Sequence, residues 1–139
     1  MKSRISTATE VLNSRVEKVW DTITDNENWQ WRSDLQNLKI LSDKEFIEYG
    51  KGGMEIHFTI TKKEEYNVYG FTMDSKYFSG EWIGNFEKLS DGKTKITFTE
   101  SLVYKKLFLR IFARLFINLK AIQDVYMRDL KNKLGLLCQ

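Results

Sequence analysis

Few side chains in this sequence have the type and spacing to do chemistry. Glu100 is the foremost. In the alternating run from Lys93 to Tyr104 it shares a parity with Ile96, Phe98 and Leu102, and neighbours on a strand face opposite sides of a sheet. That parity sets a carboxylate on an apolar face, where an unpaired charge is costly. Arg110 or Arg114, a ligand hydroxyl, or its own proton held at a raised pKa would satisfy it, and the last would make it a general acid or base. A bulge or strand end that turns Glu100 to solvent is the competing arrangement. Tyr66, Tyr69, Tyr104 and Tyr126 are the other groups able to move a proton. His57, the sole histidine, alternates with Glu55, Thr59 and Thr61 and is expected to face solvent. With no companion histidine and no nucleophile arranged around it, neither a metal site nor nucleophilic catalysis is expected. Gly50-Lys51-Gly52-Gly53 fits no phosphate-loop pattern, because no helix follows it, and reads as a hairpin apex. Cys138, the only cysteine, rules out disulfides and cysteine-based zinc sites within the chain and is expected to be an ordinary thiol. No cofactor is implied.

The 139 residues are enough for one sizeable core, so a single domain over 1–139 is expected. At 42% hydrophobic and 29% charged the chain reads as an ordinary folded protein, and its 14% aromatic content is high. No apolar run approaches the roughly 18 to 20 residues that cross a bilayer. Met1-Lys2-Ser3-Arg4 leads into an alternating segment and not a signal core, so a cytoplasmic protein is expected. The net charge of +3 hides an asymmetry: from Lys105 onward lie 8 of the 22 Lys/Arg and 2 of the 19 Asp/Glu, leaving the preceding chain at −3. A basic tail either complements its own domain or makes transient contact with an anionic membrane through Lys105, Lys106, Arg110 and Arg114. Nucleic-acid binding is not expected, since the aromatics read as inward and the body is acidic. Nothing in the pattern fixes an oligomeric state.

The elements that must position these residues follow from periodicity. Ile5, Thr7, Thr9 and Val11 alternate in a first strand. A helix follows, capped by Asn13 or Ser14, with Val16, Val19, Trp20 and Ile23 at helical spacing. The stretch Trp29 to Leu35 is expected to be a second short helix. Six strands come next: Leu38 to Leu41, Glu45 to Tyr49, Met54 to Thr61, Tyr66 to Met73, Tyr77 to Lys88 and Lys93 to Tyr104. Their connections are too short for parallel crossovers, so the sheet is antiparallel. From Lys105 or Lys106 to about Leu134 one helix of about 30 residues is expected. Its stripe is Phe108, Ile111, Phe112, Leu115, Leu119, Ile122, Tyr126 and Leu130, with Leu109, Phe116 and Ile117 widening it and Gly135 closing it. Such a stripe must lie across the concave face of the sheet.

Strand parity sets Met54, Ile56, Phe58 and Ile60, then Phe71 and Met73, then Phe78, Trp82 and Phe86, then Ile96, Phe98 and Leu102 on that face. Trp29 with the row Phe108, Phe112 and Phe116 is expected to close its mouth. Gly80 and Gly84 flank Trp82 and either leave room for a ligand or simply allow curvature. Read from the residues alone, the aromatics either interlock into a solid core or line a hollow.

The element order, together with Val19-Trp20-Asp21-Thr22-Ile23 running to Trp29-Gln30-Trp31, the aromatic strand Phe78-Ser79-Gly80-Glu81-Trp82 and the tail Tyr126-Met127-Arg128-Asp129-Leu130-Lys131, resembles the helix-grip superfamily. That group includes the birch pollen allergen, the START lipid-transfer domains and the polyketide cyclase/dehydrase proteins. The chain departs from it in lacking proline just before the first helix and ahead of the second-helix tryptophan, where Ser14 and Gln30 or its neighbours stand. The resemblance covers the whole chain and implies an α+β fold: a seven-stranded curved antiparallel sheet around a long C-terminal helix, with two short helices after the first strand. It also implies a deep cavity for an apolar or amphipathic small molecule, touched by Trp29, Phe58, Phe71, Phe78, Trp82, Phe98, Glu100, Phe108, Phe112 and Phe116. Binding or transport without catalysis is the leading expectation, and a cyclase/dehydratase-like enzyme using pocket Glu and Tyr residues is the alternative.

Overall fold

Period-two alternation dominates from Leu35 to Tyr104, and strands form there. A computed structural model describes residues 3–136, with every side chain among them except that of Phe116. The elements are β1 (Arg4–Leu12), α1 (Val16–Thr24), β2 (Leu35–Ile40), β3 (Glu45–Gly50), β4 (Glu55–Glu64), β5 (Val68–Ser75), β6 (Phe78–Lys88), β7 (Thr94–Tyr104), α2 (Leu107–Phe116) and α3 (Leu119–Lys133). The strands make one antiparallel sheet in the order β1-β7-β6-β5-β4-β3-β2. Six strands meander, and β1 crosses back to pair with β7. Hairpin turns lie where expected: Gly52 and Gly53 take φ +87° and +82° at the β3–β4 apex, and Gly92 takes +80° between β6 and β7. All three are left-handed conformations that suit glycine.

The α1 helix buries Val16, Val19, Trp20 and Ile23 as its spacing predicts, although its N-cap is Arg15 and neither Asn13 nor Ser14. Trp20 meets Phe86 at 5.0 Å and Tyr69 at 6.0 Å, both edge-on. In β1 the residues facing α3 are those that alternate with Ile5, Thr7, Thr9 and Val11. Ala8 and Leu12 are buried while Ile5 and Val11 are exposed. Small side chains there let α3 lie close. Gln123 on α3 donates to the Ser6 carbonyl at 3.0 Å and accepts from the Ser6 hydroxyl at 2.7 Å, and Lys131 pairs with Glu10.

Two expected helices are corrected. Trp29 to Asp34 form turns, not a second helix. The loop is pinned to α3 by Trp31 against Tyr126 at 5.4 Å and by the Ser33 backbone N–H and hydroxyl, which donate to Asp129 at 2.8 and 2.7 Å. The single 30-residue helix is two. Ile117 and Asn118 are extended (φ −109°, ψ 120°; φ −105°, ψ 100°), and the Asn118 side chain caps α3 by accepting from the Ala121 N–H at 3.1 Å. Two extended residues re-phase α2 against α3, so the stripe carried back from α3 points outward. Ala113 is buried and Leu109 and Ile117 are partly buried, whereas Phe108 and Phe112 are 65% and 53% exposed, alongside exposed Leu107, Ile111 and Leu115. Arg4 holds the end of α2, donating to the carbonyls of Ala113 at 2.8 Å and of Ile117. The end does close at Gly135, with φ +74°. No helix among the described residues is long and apolar enough to cross a membrane. Cys138 lies outside the described residues.

Candidate functional site

The strand register sets one aromatic side chain per strand beside the next, and they meet in an unbroken wall. Phe46 stacks on Phe58 at 4.8 Å, Phe58 meets Phe71 edge-on at 5.0 Å, and Phe71 stacks on Trp82 at 4.9 Å. Trp82 then meets Phe98 at 4.8 Å, and Phe98 meets Tyr126 of α3 at 5.6 Å. These rings do not fill the space under α3. A cavity of about 290 Å³ remains, the volume of roughly ten waters at about 30 Å³ each. Met54 and Ile122, 39% and 48% exposed, border it together with Ile117. Its mouth is therefore at the break between α2 and α3.

Of the residues expected to touch a ligand, Phe58, Phe71, Phe78, Trp82, Phe98 and Glu100 line this cavity. Trp29 packs half-buried against the core outside it. Phe108 and Phe112, expected at the mouth, lie on the outer face of α2 because of the helix break. The Phe116 side chain lies outside the described ones. Ile60 packs against the core away from the cavity, next to the bulge between Ile60 and Lys62. Gly80 and Gly84 leave no room for a guest. A Cβ on Gly84 would come within 2.6 Å of the Trp82 ring, and one on Gly80 within 2.6 Å of Leu102. The glycines seat neighbouring side chains. His57 is exposed, and among the described residues no group of three or more His, Cys, Asp or Glu could hold a metal ion.

A charged cluster lies among the apolar walls. The loop after α1 delivers Arg32, which donates to Glu48 of β3 at 2.7 and 3.3 Å and to Asp34 at 2.8 and 3.2 Å. Its guanidinium also stands 5.1 Å from the Tyr126 ring, an arrangement favoured by the ring quadrupole. Burial opposes the Arg32 charge, but Glu48 and Asp34 outweigh it and hold the guanidinium above its usual pKa. Burial likewise pushes Glu48 up, opposed by Arg32. Neither Arg32 nor Glu48 was apparent as a site residue from sequence. The signal for Glu48 was present, since it shares the parity of inward Phe46. Arg32 lay in a stretch that reads as helix.

Glu100 pairs across the sheet with Trp82 and Ser6, on the cavity side. Its carboxyl makes no hydrogen bond or ion pair among the described residues. Arg110 and Arg114 are exposed on α2 and do not reach it. Burial first, then Glu48 and Asp34, raise its pKa to about 6 against the opposing pull of Arg32. Tyr69, Tyr104 and Tyr126 line the same space, whereas Tyr66 is exposed at a left-handed turn. The Tyr69 hydroxyl is buried without a well-formed hydrogen bond; burial pushes its pKa up to about 12, with the Asn26 side chain offsetting part of the effect.

No family model and no curated protein matches this sequence. Solved structures do match it in fold. A START superfamily protein from Mycobacterium smegmatis aligns over 96% of this chain and 99% of its own, with a TM-score of 0.80 at 11% identity. The Zhui aromatase/cyclase from a Streptomyces species aligns over 95% and 93% at a TM-score of 0.79 and 9% identity. Norcoclaurine synthase from Thalictrum flavum aligns over 99% and 96% at 0.74 and 8% identity. The chain has the α+β helix-grip fold of START-like proteins.

Proposed function

We propose that this chain, working as one unit over 1–139, binds and carries an apolar or amphipathic small molecule, such as a lipid or polyketide, in the chamber between sheet and α3. The observation that carries this reading is the aromatic-walled cavity that stays open at the helix break. Burial of about 200 Å² of ligand surface would contribute about 5 kcal/mol, and the polar cluster would orient one end. The START and aromatase/cyclase relatives in fold support a small-molecule chamber. Native mass spectrometry of the protein purified from its own host tests this: a mass increment that leaves on denaturation is expected, and bare protein alone would count against it.

A second reading is a cyclase/dehydratase-like enzyme. It is favoured by Glu100, whose pKa burial pushes up to about 6, facing the same space as Tyr104 and Tyr126. Conversion of a linear poly-ketone probe that disappears in Glu100→Gln is its expected signature. No conversion by the natural protein would dismiss it.

The carrier reading also includes contact with an anionic membrane through α2. Leu107, Phe108, Ile111 and Leu115 form an exposed apolar face. Arg110 and Arg114 run along one edge of it, at the 100° per residue of a helix. Neither these nor Lys106 has an ion pair among the described residues, and α2 contains no acidic residue. That is the composition of an interfacial helix. Flotation with mixed phosphatidylcholine and phosphatidylglycerol vesicles is expected to capture the protein in a salt-sensitive way, and Phe108→Ser to weaken capture. Self-association without lipid that Phe108→Ser abolishes would assign the face to a second copy instead.

A further inference from the structure

The charged groups of the cavity are one-sided: three carboxylates, Asp34, Glu48 and Glu100, face one guanidinium among the described residues. Arg32 is the one cation lining the cavity among the described residues, and four of its hydrogen bonds already go to Asp34 and Glu48. A guanidinium has five N–H donors, so almost nothing is left for a guest. Its charge is also spoken for: whether or not Glu48 holds a proton, Asp34 balances it. What remains to meet a guest is the Glu100 carboxyl, which accepts when ionised, together with the neutral Asn26 amide and the hydroxyls of Tyr69, Tyr104 and Tyr126, each able to accept or donate. The Gln123 amide lines the cavity too, but it is committed to Ser6 and the Phe98 carbonyl.

Resting on the carrier reading, we propose that the chamber selects amphiphiles whose head donates hydrogen bonds, a protonated amine above all and a hydroxyl next, and that it rejects carboxylate and phosphate heads. An ammonium brings three donors and a positive charge to a cluster with an excess of carboxylates: Asp34, Glu48 and Glu100 against Arg32 alone. An acidic head brings only acceptors and a like charge, and no cation lining the cavity among the described residues is free to meet it. Leaving Glu100 facing that head unpaired is the larger penalty, because like charges in a partly desolvated space repel strongly. The apolar tail occupies the aromatic wall in every case, so selection falls on the head.

Octylamine, 1-octanol and octanoate have alkyl tails of about eight, eight and seven carbons, and each has about as many heavy atoms as the cavity holds waters. Calorimetric titration of each into the natural protein and into Glu100→Gln, below micelle-forming concentrations, separates the possibilities. Octylamine is expected to bind best, with octanoate weaker by about 100-fold. Glu100→Gln is expected to lower octylamine affinity by about tenfold or more and to leave octanol within a few-fold. Octanoate binding as tightly as octylamine would overturn the selectivity while leaving the chamber intact. Octylamine binding that ignores Glu100→Gln would overturn it as well, by putting the head elsewhere. If none of the three binds, the carrier reading fails, and this inference with it.

Discussion

Glu100→Gln is expected to stabilise the protein, and by an amount that depends on pH. The substitution keeps the side chain's shape and removes its charge. In the folded chain the carboxyl has a pKa of about 6 against an ordinary 4.5, a gap equivalent to about 2 kcal/mol. Residual contact with water trims that toward about 1 kcal/mol. The groups acting on it are Glu48 from β3, Arg32 and Asp34 from the loop after α1, and Tyr104 along β7. Because the folded pKa is the higher one, the native state holds its proton longer than the unfolded chain does. Below 4.5 both states are protonated and the charge costs nothing. Between 4.5 and about 6 stability falls as pH rises, and above about 6 the deficit is constant. Urea unfolding of natural and variant protein near about pH 4 and about pH 8, compared at equal m-values, reads the difference directly. The expected result is near-coincidence at the lower pH and a variant about 1–2 kcal/mol more stable at the higher. A variant that is equally or less stable at the higher pH would mean that Glu100 has a compensating partner, and the reasoning would be wrong.

Arg32→Leu strands Glu48 at 8% side-chain exposure without its cation, and a loss of about 3–5 kcal/mol is expected by urea unfolding. Arg32→Leu combined with Glu48→Leu is expected to recover most of it. Gly84→Ala drives a methyl to 2.6 Å from the Trp82 ring, which is itself stacked on Phe71, so an expected cost of about 1–3 kcal/mol should appear as a lower thermal midpoint. Gln123→Leu removes both Ser6 hydrogen bonds and leaves the Ser6 carbonyl short of a donor. A loss of about 1–3 kcal/mol is expected, with faster amide exchange in α3.

Features encoded within a few consecutive residues were readable in advance. The Val16, Val19, Trp20, Ile23 spacing specifies α1 unaided, and Asp91-Gly92 signals a hairpin because the five-residue turn between β6 and β7 needs a left-handed residue, which Gly92 supplies at φ +80°. Glu100 was readable for the same reason: parity is a local property of a strand. The charged cluster was not, since Arg32 and Glu48 lie 16 residues apart and meet only when the loop after α1 folds back over β3. The helix break escaped for another reason. A stripe counted at 100° per residue continues smoothly across Ile117 and Asn118, and the one local sign of a stop was Asn118, a good N-cap followed by a helical pattern. Missing that joint misassigned Phe108 and Phe112, because every residue before it is turned relative to α3. At Gly80 and Gly84 the absence of side chains was visible, but the neighbours that fill the space were not.

The joint at residues 117 and 118 also changes what the first strand does. A continuous rod would hold its own angle, whereas two segments need an outside strut, and β1 supplies it at both ends. Arg4 clasps the final turn of α2, while Ser6 and Glu10 fasten α3. The width of the opening is thus fixed by the earliest residues of the chain, so trimming Arg4 would free α2 to swing without disturbing the register of a single strand.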